Sequence, residues 1–144
     1  MYFDDLKLGM LVEIASAVIE KQKMMEFAYA YDNIPLHTDE EYAKASPFGR
    51  LIAPGVMSFM SVWARYLEVD FFGKELLAGK STKIEWHKPV YAEDVLHGTA
   101  TITNLVQRSA RNGIVEITID AYNQNGVHVL SNVTEAIVKC AEKE

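Results

Sequence analysis

The chain has almost no cysteine. Cys140 stands alone among 144 residues, so no intrachain disulfide can form and no thiolate zinc cluster can be built. A reducing, cytoplasmic setting is the expectation that follows. Positive charge is also in short supply. Fourteen Lys and Arg face twenty Asp and Glu, for a net charge of −6. Nucleic acid and anionic lipid both require clustered cations, so neither is an expected partner. Long apolar runs are missing too. The longest stretch without a charged residue, Leu51–Ala64, is too short to span a bilayer and is interrupted by Pro54, Ser58 and Ser61. The opening Met-Tyr-Phe-Asp-Asp-Leu-Lys lacks a basic region followed by an apolar one, so no secretory signal is expected. Internal repeats, low-complexity segments and Gly-rich phosphate loops are absent.

What is present is an ordinary globular composition, 49% apolar and 24% charged, at a length that suits one domain over residues 1–144 with one core. Residues 11–19, rich in Val, Ile and Ala, predict a strand. From Lys21, Met24, Phe27, Ala28 and Tyr31 recur at helical spacing, and Pro35 sets the limit of that helix. Thr38-Asp-Glu-Glu41 has the form of a capping box, which predicts a short helix from Thr38 to about Ser46-Pro47. A longer helix follows Pro54. Val56, Met57, Phe59, Met60, Val62, Trp63 and Ala64 leave it almost no polar face, so it should be enclosed by other structure. Arg65 and Glu68 mark its solvated turns, and Gly73 closes the helical region. Strands are predicted after Gly79: Ser81–His87, Val95–Gln107 with Leu96, Ala100, Ile102 and Val106 on one face, Ile114–Tyr122 in clean alternation, and Val127–Val138. Asn112-Gly113 and Asn125-Gly126 read as hairpin turns. The result is an α+β order: a strand, helices, one apolar helix, then an antiparallel meander. A sheet wrapped around that helix is the simplest way to cover it.

Asp32, His37 and Gly55 fall at breaks in this regular structure, where functional groups concentrate. A carboxylate and an imidazole can share one water and manage its protons. A helix start presents unpaired N–H donors and the positive end of a dipole to an oxygen that gains charge. Pro54 has no N–H, so Gly55 is the first donor there, and its lack of a side chain admits a close approach. Each feature also has a plain structural reading. An Asp near a proline turn serves turn chemistry, a His beside a helix start is solvated or structural, and Pro-Gly ends a loop. Their convergence is not given by spacing.

Tyr31-Asp-Asn-Ile-Pro-Leu-His-Thr-Asp39, Ala43, Phe48-Gly-Arg-Leu-Ile-Ala-Pro-Gly-Val-Met57 and the later Trp86-His-Lys-Pro-Val-Tyr-Ala-Glu-Asp94 resemble the MaoC-like dehydratases of the (R)-specific enoyl-CoA hydratase type, over residues 20–138. The resemblance implies a hot-dog fold, an antiparallel sheet around one long helix. It implies a homodimer with a continuous sheet, and higher oligomers are compatible with it. It implies syn hydration of a trans-2-enoyl thioester, on CoA or on acyl carrier protein, to the (3R)-hydroxyacyl product, with no cofactor and no metal. On this likeness Asp32 and His37 activate the water and the Gly55 N–H binds the thioester oxygen. Asn33, Pro54, Trp63 and Trp86 are the expected substrate-side residues. Three positions depart from the family pattern. Ile34 precedes the motif Pro where Asn is frequent, Pro54 precedes the motif Gly where His is frequent, and Trp63 stands where some members carry a serine. A bulky Trp63 would narrow the acyl tunnel and favour short or branched acyl groups.

Two other functions fit the same residues: an acyl-CoA thioesterase on this fold, with Asp32 directing water at the carbonyl carbon, and a non-catalytic acyl-CoA-binding subunit. His87, His97 and His128 are assigned to surface or packing. Ser58 lacks the surroundings of a nucleophile. Met57 and Met60 are assigned to core filling.

Overall fold

The computed structural model describes residues 1–143. Strand β1 (Leu11–Val18) leads into helices α1 (Lys21–Tyr31), α2 (Pro35–Thr38), α3 (Glu40–Ala45) and α4 (Gly55–Glu68), and four strands follow: β2 (Leu76–Trp86), β3 (Val95–Gln107), β4 (Asn112–Tyr122) and β5 (His128–Lys139). All pairings are antiparallel, in the order β1-β3-β4-β5-β2. The sheet curls around α4, which is the hot-dog arrangement.

The sheet interior follows from alternation. Along β4, Val115, Ile117, Ile119 and Ala121 are buried, and along β5 Asn132, Thr134, Ala136 and Val138 face the same way. Opposite them α4 contributes Met57, Phe59, Val62 and Tyr66. Asn132 is a polar member of this interior. Its Nδ2 donates to Thr82 Oγ1 at 2.7 Å and to the Lys83 carbonyl at 3.0 Å, while its Oδ1 accepts from Thr134 Oγ1 at 2.7 Å. These bonds meet the requirement that a buried amide be paired.

Several boundaries differ from the sequence expectation, each for a local reason. The helix expected at Thr38 begins at Glu40. Thr38 Oγ1 is spent on the Ile34 carbonyl, 3.1 Å away, within the extra turn α2, and Asp39 Oδ1 caps α3 by accepting from Tyr42 N–H at 3.1 Å. Asn112-Gly113 is not the hairpin turn. The reversal is made by Arg108–Arg111, and Gly113 lies inside β4, where an added Cβ would sit 2.4 Å from the buried Phe3 ring. Asn125-Gly126 does turn the chain, with Gly126 at φ +74 and Asn123 Oδ1 accepting two backbone N–H groups. A register shift between Ile102 and Asn104 breaks the face of β3, so Val106 is exposed. Strand β2 starts at Leu76 rather than Ser81. It pairs with β5 on one side only, and its exposed side chains carry no alternation to read. Finally, one chain does not enclose α4. Val56, Met60 and Leu67, an apolar stripe at helical spacing, remain about half exposed.

Candidate active site

Helix α1 ends where Asp32 takes up a non-helical conformation, with its N–H still bonded to the Ala28 carbonyl at 2.9 Å. Pro35 then opens α2 at a first-turn position that suits proline. This short turn carries His37 back toward the chain it has just left. His37 Nε2 lies 3.2 Å from Asp32 Oδ2, with the imidazole buried and the carboxylate 42% exposed. His37 Nδ1 is 2.7 Å from the Ile52 carbonyl. A carbonyl only accepts, so Nδ1 holds its proton and donates. Nε2 is the nitrogen that faces the carboxylate.

The Ile52 carbonyl is itself anchored. It belongs to the peptide whose N–H, on Ala53, donates to the Val90 carbonyl at 2.7 Å. Tyr91 N–H is held by Asp94 Oδ2 at 2.9 Å, and Asp94 Oδ1 accepts from Gln124 at 3.0 Å, so the wall at Val90 is tied to the sheet. Two residues beyond Ala53, α4 begins at Gly55, with Pro54 as the residue before it. The first N–H groups of any α-helix lack intrahelical acceptors, and the helix dipole places partial positive charge there.

These groups border one cavity of about 500 Å³, lined by Asp32, His37, Ala53, Gly55, Ser58 and Trp86 together with Phe48, Val56 and the turn His87–Val90. Its walls are mostly apolar, with one carboxylate (Asp32) and one ammonium (Lys88). Trp86 presses its indole on the Cα of Gly55, where an added Cβ would lie 2.5 Å from Cε2. Its Nε1 donates to the Gly55 carbonyl at 2.9 Å. Gly55 does not have a positive φ, so it is the space for the indole and the cavity, not backbone freedom, that calls for glycine here.

Of the residues singled out from sequence, Asp32, His37, Gly55 and Trp86 come together on this cavity. Pro54 is buried beneath it and offers its carbonyl to Ser58. Asn33 is exposed and is not part of the lining. Trp63 is elsewhere: it stacks between Phe59 and Tyr66, at 5.7 and 4.9 Å between centroids, and lines a separate apolar cavity of about 140 Å³ with Tyr66, Leu67, Phe72 and Leu76. Any narrowing by Trp63 therefore falls on that second cavity. The sequence reading missed Ser58, Phe48 and His87 as wall residues. Ser58 lies three residues after Gly55, a helical spacing that places it on the same side of α4, and that was the available signal. His87 also bonds Ser131 Oγ and packs on His128 at 4.6 Å, so its packing role on the sheet coexists with its place on the rim. Among the described residues no three His, Cys, Asp or Glu side chains are placed to hold a metal ion, and no helix is long and apolar enough to cross a membrane.

The arrangement can polarise a carbonyl at the helix start while a carboxylate and an imidazole govern a water beside it. Comparison with known proteins bears on what that carbonyl belongs to. The family model described as "FAS1-like, dehydratase domain region" matches residues 7–132. The Bacillus subtilis protein YdeM is 26% identical over 140 residues, covering 96% of this chain and 99% of its own. The (R)-specific enoyl-CoA hydratase of Rhodospirillum rubrum is 28% identical over 105 residues, covering 73% of this chain and 72% of its own. The crystal structure of a MaoC-like dehydratase from the same organism superposes with a TM-score of 0.85 at 26% identity, covering 99% of both chains.

Proposed function

The chain belongs to the FAS1-like family of dehydratase domain regions, and from that membership we propose that it interconverts a trans-2-enoyl thioester and the (3R)-3-hydroxyacyl thioester. The observation that carries the proposal is the 3.2 Å approach of Asp32 and His37 on a cavity bordered by the start of α4. Asp32 and His37 hold one water. Its hydroxyl adds to C3 of the enoyl group, and its proton is delivered to C2. As the C–O bond forms, negative charge collects on the thioester oxygen and the Gly55 N–H stabilises it. The Ile52 carbonyl keeps the His37 proton on Nδ1, so that Nε2 is the nitrogen that moves protons. Trp86 and Phe48 bound the space for the acyl and carrier portions. The thioester carrier proposed is CoA, in line with the named activity of the Rhodospirillum rubrum relative.

The working unit proposed is a homodimer. The half-exposed stripe of Val56, Met60 and Leu67 and the unpaired edge of β2 support it, since both are surfaces a second copy of the same chain can cover. A single-chain mass by sedimentation at micromolar concentration would count against it.

The direct test follows loss of enoyl absorbance with crotonyl-CoA. Asp32→Asn and His37→Ala should each lower kcat by about 100-fold or more, the usual scale for loss of a general acid or base. Active wild type with both variants undiminished would refute the assignment. Release of free CoA, read with a thiol reagent, would move the protein to thioester hydrolysis, and saturable binding without turnover would make it a binding subunit.

A further inference from the structure

Ser58 is 1% exposed and lies on the cavity wall, yet the reaction as described gives it no task. Both of its donors converge on one acceptor. Its backbone N–H reaches the Pro54 carbonyl at 3.1 Å and its hydroxyl reaches the same oxygen at 3.2 Å. The first bond is the ordinary opening of a helical ladder. The second is surplus: a serine hydroxyl bonded to the carbonyl four residues back slightly destabilises a helix, and alanine has the higher helix propensity. Helix propensity therefore does not call for the hydroxyl; Ser61 makes the same kind of bond to the Met57 carbonyl at 2.8 Å, but Ser58 is the one on the cavity wall.

The Pro54 carbonyl belongs to the same peptide unit as the Gly55 N–H. In a trans peptide the two point in opposite directions, so fixing the oxygen also fixes the aim of the N–H away from the helix, toward its open end. Donors on the oxygen also polarise the unit and make its N–H a stronger donor. Trp86 repeats the device one peptide further on. Its Nε1 donates at 2.9 Å to the Gly55 carbonyl, the unit that carries the Val56 N–H.

We propose that Ser58 is a positioning residue that aims and strengthens the Gly55 N–H, with Trp86 clamping the next peptide. The proposal rests on the reading of Gly55 as the donor to the thioester oxygen. In this role neither side chain exchanges a proton with substrate; each acts through a main-chain amide.

The test uses the full chain, crotonyl-CoA for turnover, and 4-(dimethylamino)cinnamoyl-CoA, an enoyl thioester whose absorbance moves to the red when its carbonyl is polarised. Ser58→Ala should lower kcat about tenfold, a fraction of the 10²–10³ lost when a direct oxyanion donor is removed. KM should stay within about twofold, since the polarised N–H matters most when charge has developed, and the red-shift of the bound probe should shrink. A purely structural serine would leave the red-shift intact. A fall in kcat with a full red-shift, or no change in either, overturns the proposal. Should Ser58→Ala fail to fold, Ser58→Cys carries the test, because a thiol keeps the side chain's shape but is a weaker donor to the Pro54 carbonyl; kcat and the red-shift should again fall together, and a full red-shift would overturn the proposal. Wild type that binds and shifts the probe without turnover removes the reaction assignment but leaves the carbonyl donor and the Ser58 test standing. Wild type that neither turns over nor shifts the probe removes both.

Discussion

Gly55→Ala separates the demands of the cavity from those of the fold. The new methyl group would be placed 2.5 Å from Cε2 and 2.7 Å from Nε1 of Trp86, so the indole must leave. It is free to do so, being half exposed at the rim. The hydrogen bond from Nε1 to the Gly55 carbonyl goes with it, a loss of about 1 kcal/mol. Against that, alanine is favoured over glycine in a helix by up to about 1 kcal/mol, and no positive φ at residue 55 resists the change. The two effects nearly cancel. The melting temperature should move by no more than about 3 °C, given the 2–4 °C per kcal/mol typical of chains this size. Activity should not survive so well. A displaced indole reshapes the wall beside the carbonyl site, and a misplacement of about 1 Å can cost up to about 100-fold in rate. The assay pairs thermal denaturation with crotonyl-CoA hydration. A Trp63→Phe background leaves Trp86 as the sole tryptophan, whose emission should move to the red as it enters water. Destabilisation beyond about 3 kcal/mol would mean that the indole cannot yield. Full activity with unmoved emission would mean that the close contact does not shape the site. Either result refutes the reasoning.

Gly113→Ala makes the contrasting case, because the Phe3 ring at 2.4 Å is buried rather than free to swing out. It should destabilise by about 1–3 kcal/mol, the range for overpacking. Thermal melts should show partial recovery when Phe3→Leu is added, and additive losses would sink the explanation. Tyr66 sets a limit at high pH. Burial raises its phenol from 10.0 to about 12. Between those values the unfolded chain has released a proton that the folded chain retains, so stability should fall as pH rises from 10 to 12, by about 2–3 kcal/mol at the upper end. Tyr66→Phe should flatten that decline in denaturant titrations at pH 9 and pH 11; an unchanged slope would remove Tyr66 as its source.

The strands with one buried face were legible because period-two alternation marks them directly, as in Val115 to Ala121. Where a strand lies at the sheet edge and both its faces are exposed, as in β2, no such pattern exists, and its first five residues were missed. Thr38 and Asp39 are both competent helix caps, and the choice between them depends on Ile34 offering a carbonyl to Thr38, which no local pattern encodes. Asn112-Gly113 misled because the glycine answers to Phe3, more than a hundred residues away in sequence. At the site, Asp32, His37 and Gly55 could be named from types and spacing, and the structure brings them to one cavity. Trp63 shares a motif position with these residues, but its neighbours are Phe59 and Tyr66, and its ring lines a different cavity. Ser58 carries no nucleophile motif in the sequence, and the acceptor of its hydroxyl, the Pro54 carbonyl, is visible only in the fold.

The segment Ile52–Gly55 makes its polar contacts at the site through main-chain atoms: the Ile52 carbonyl on His37, the Ala53 N–H on Val90 and the Pro54 carbonyl on Ser58, with the N–H of Gly55 at the helix start. Replacing the side chains of Ile52 and Ala53 leaves these main-chain bonds in place. An alanine scan would leave the Ile52 carbonyl in place and skip Ala53 altogether, so it would not report the main-chain bonds that hold His37 and the Val90 wall. Only a change to the backbone itself can expose them, such as Ala53→Pro, which deletes one N–H, or an ester in place of an amide. The same property leaves the walls at Phe48 and Val56 open to exchange, so that the shape of the cavity can drift while the main-chain contacts stay in register.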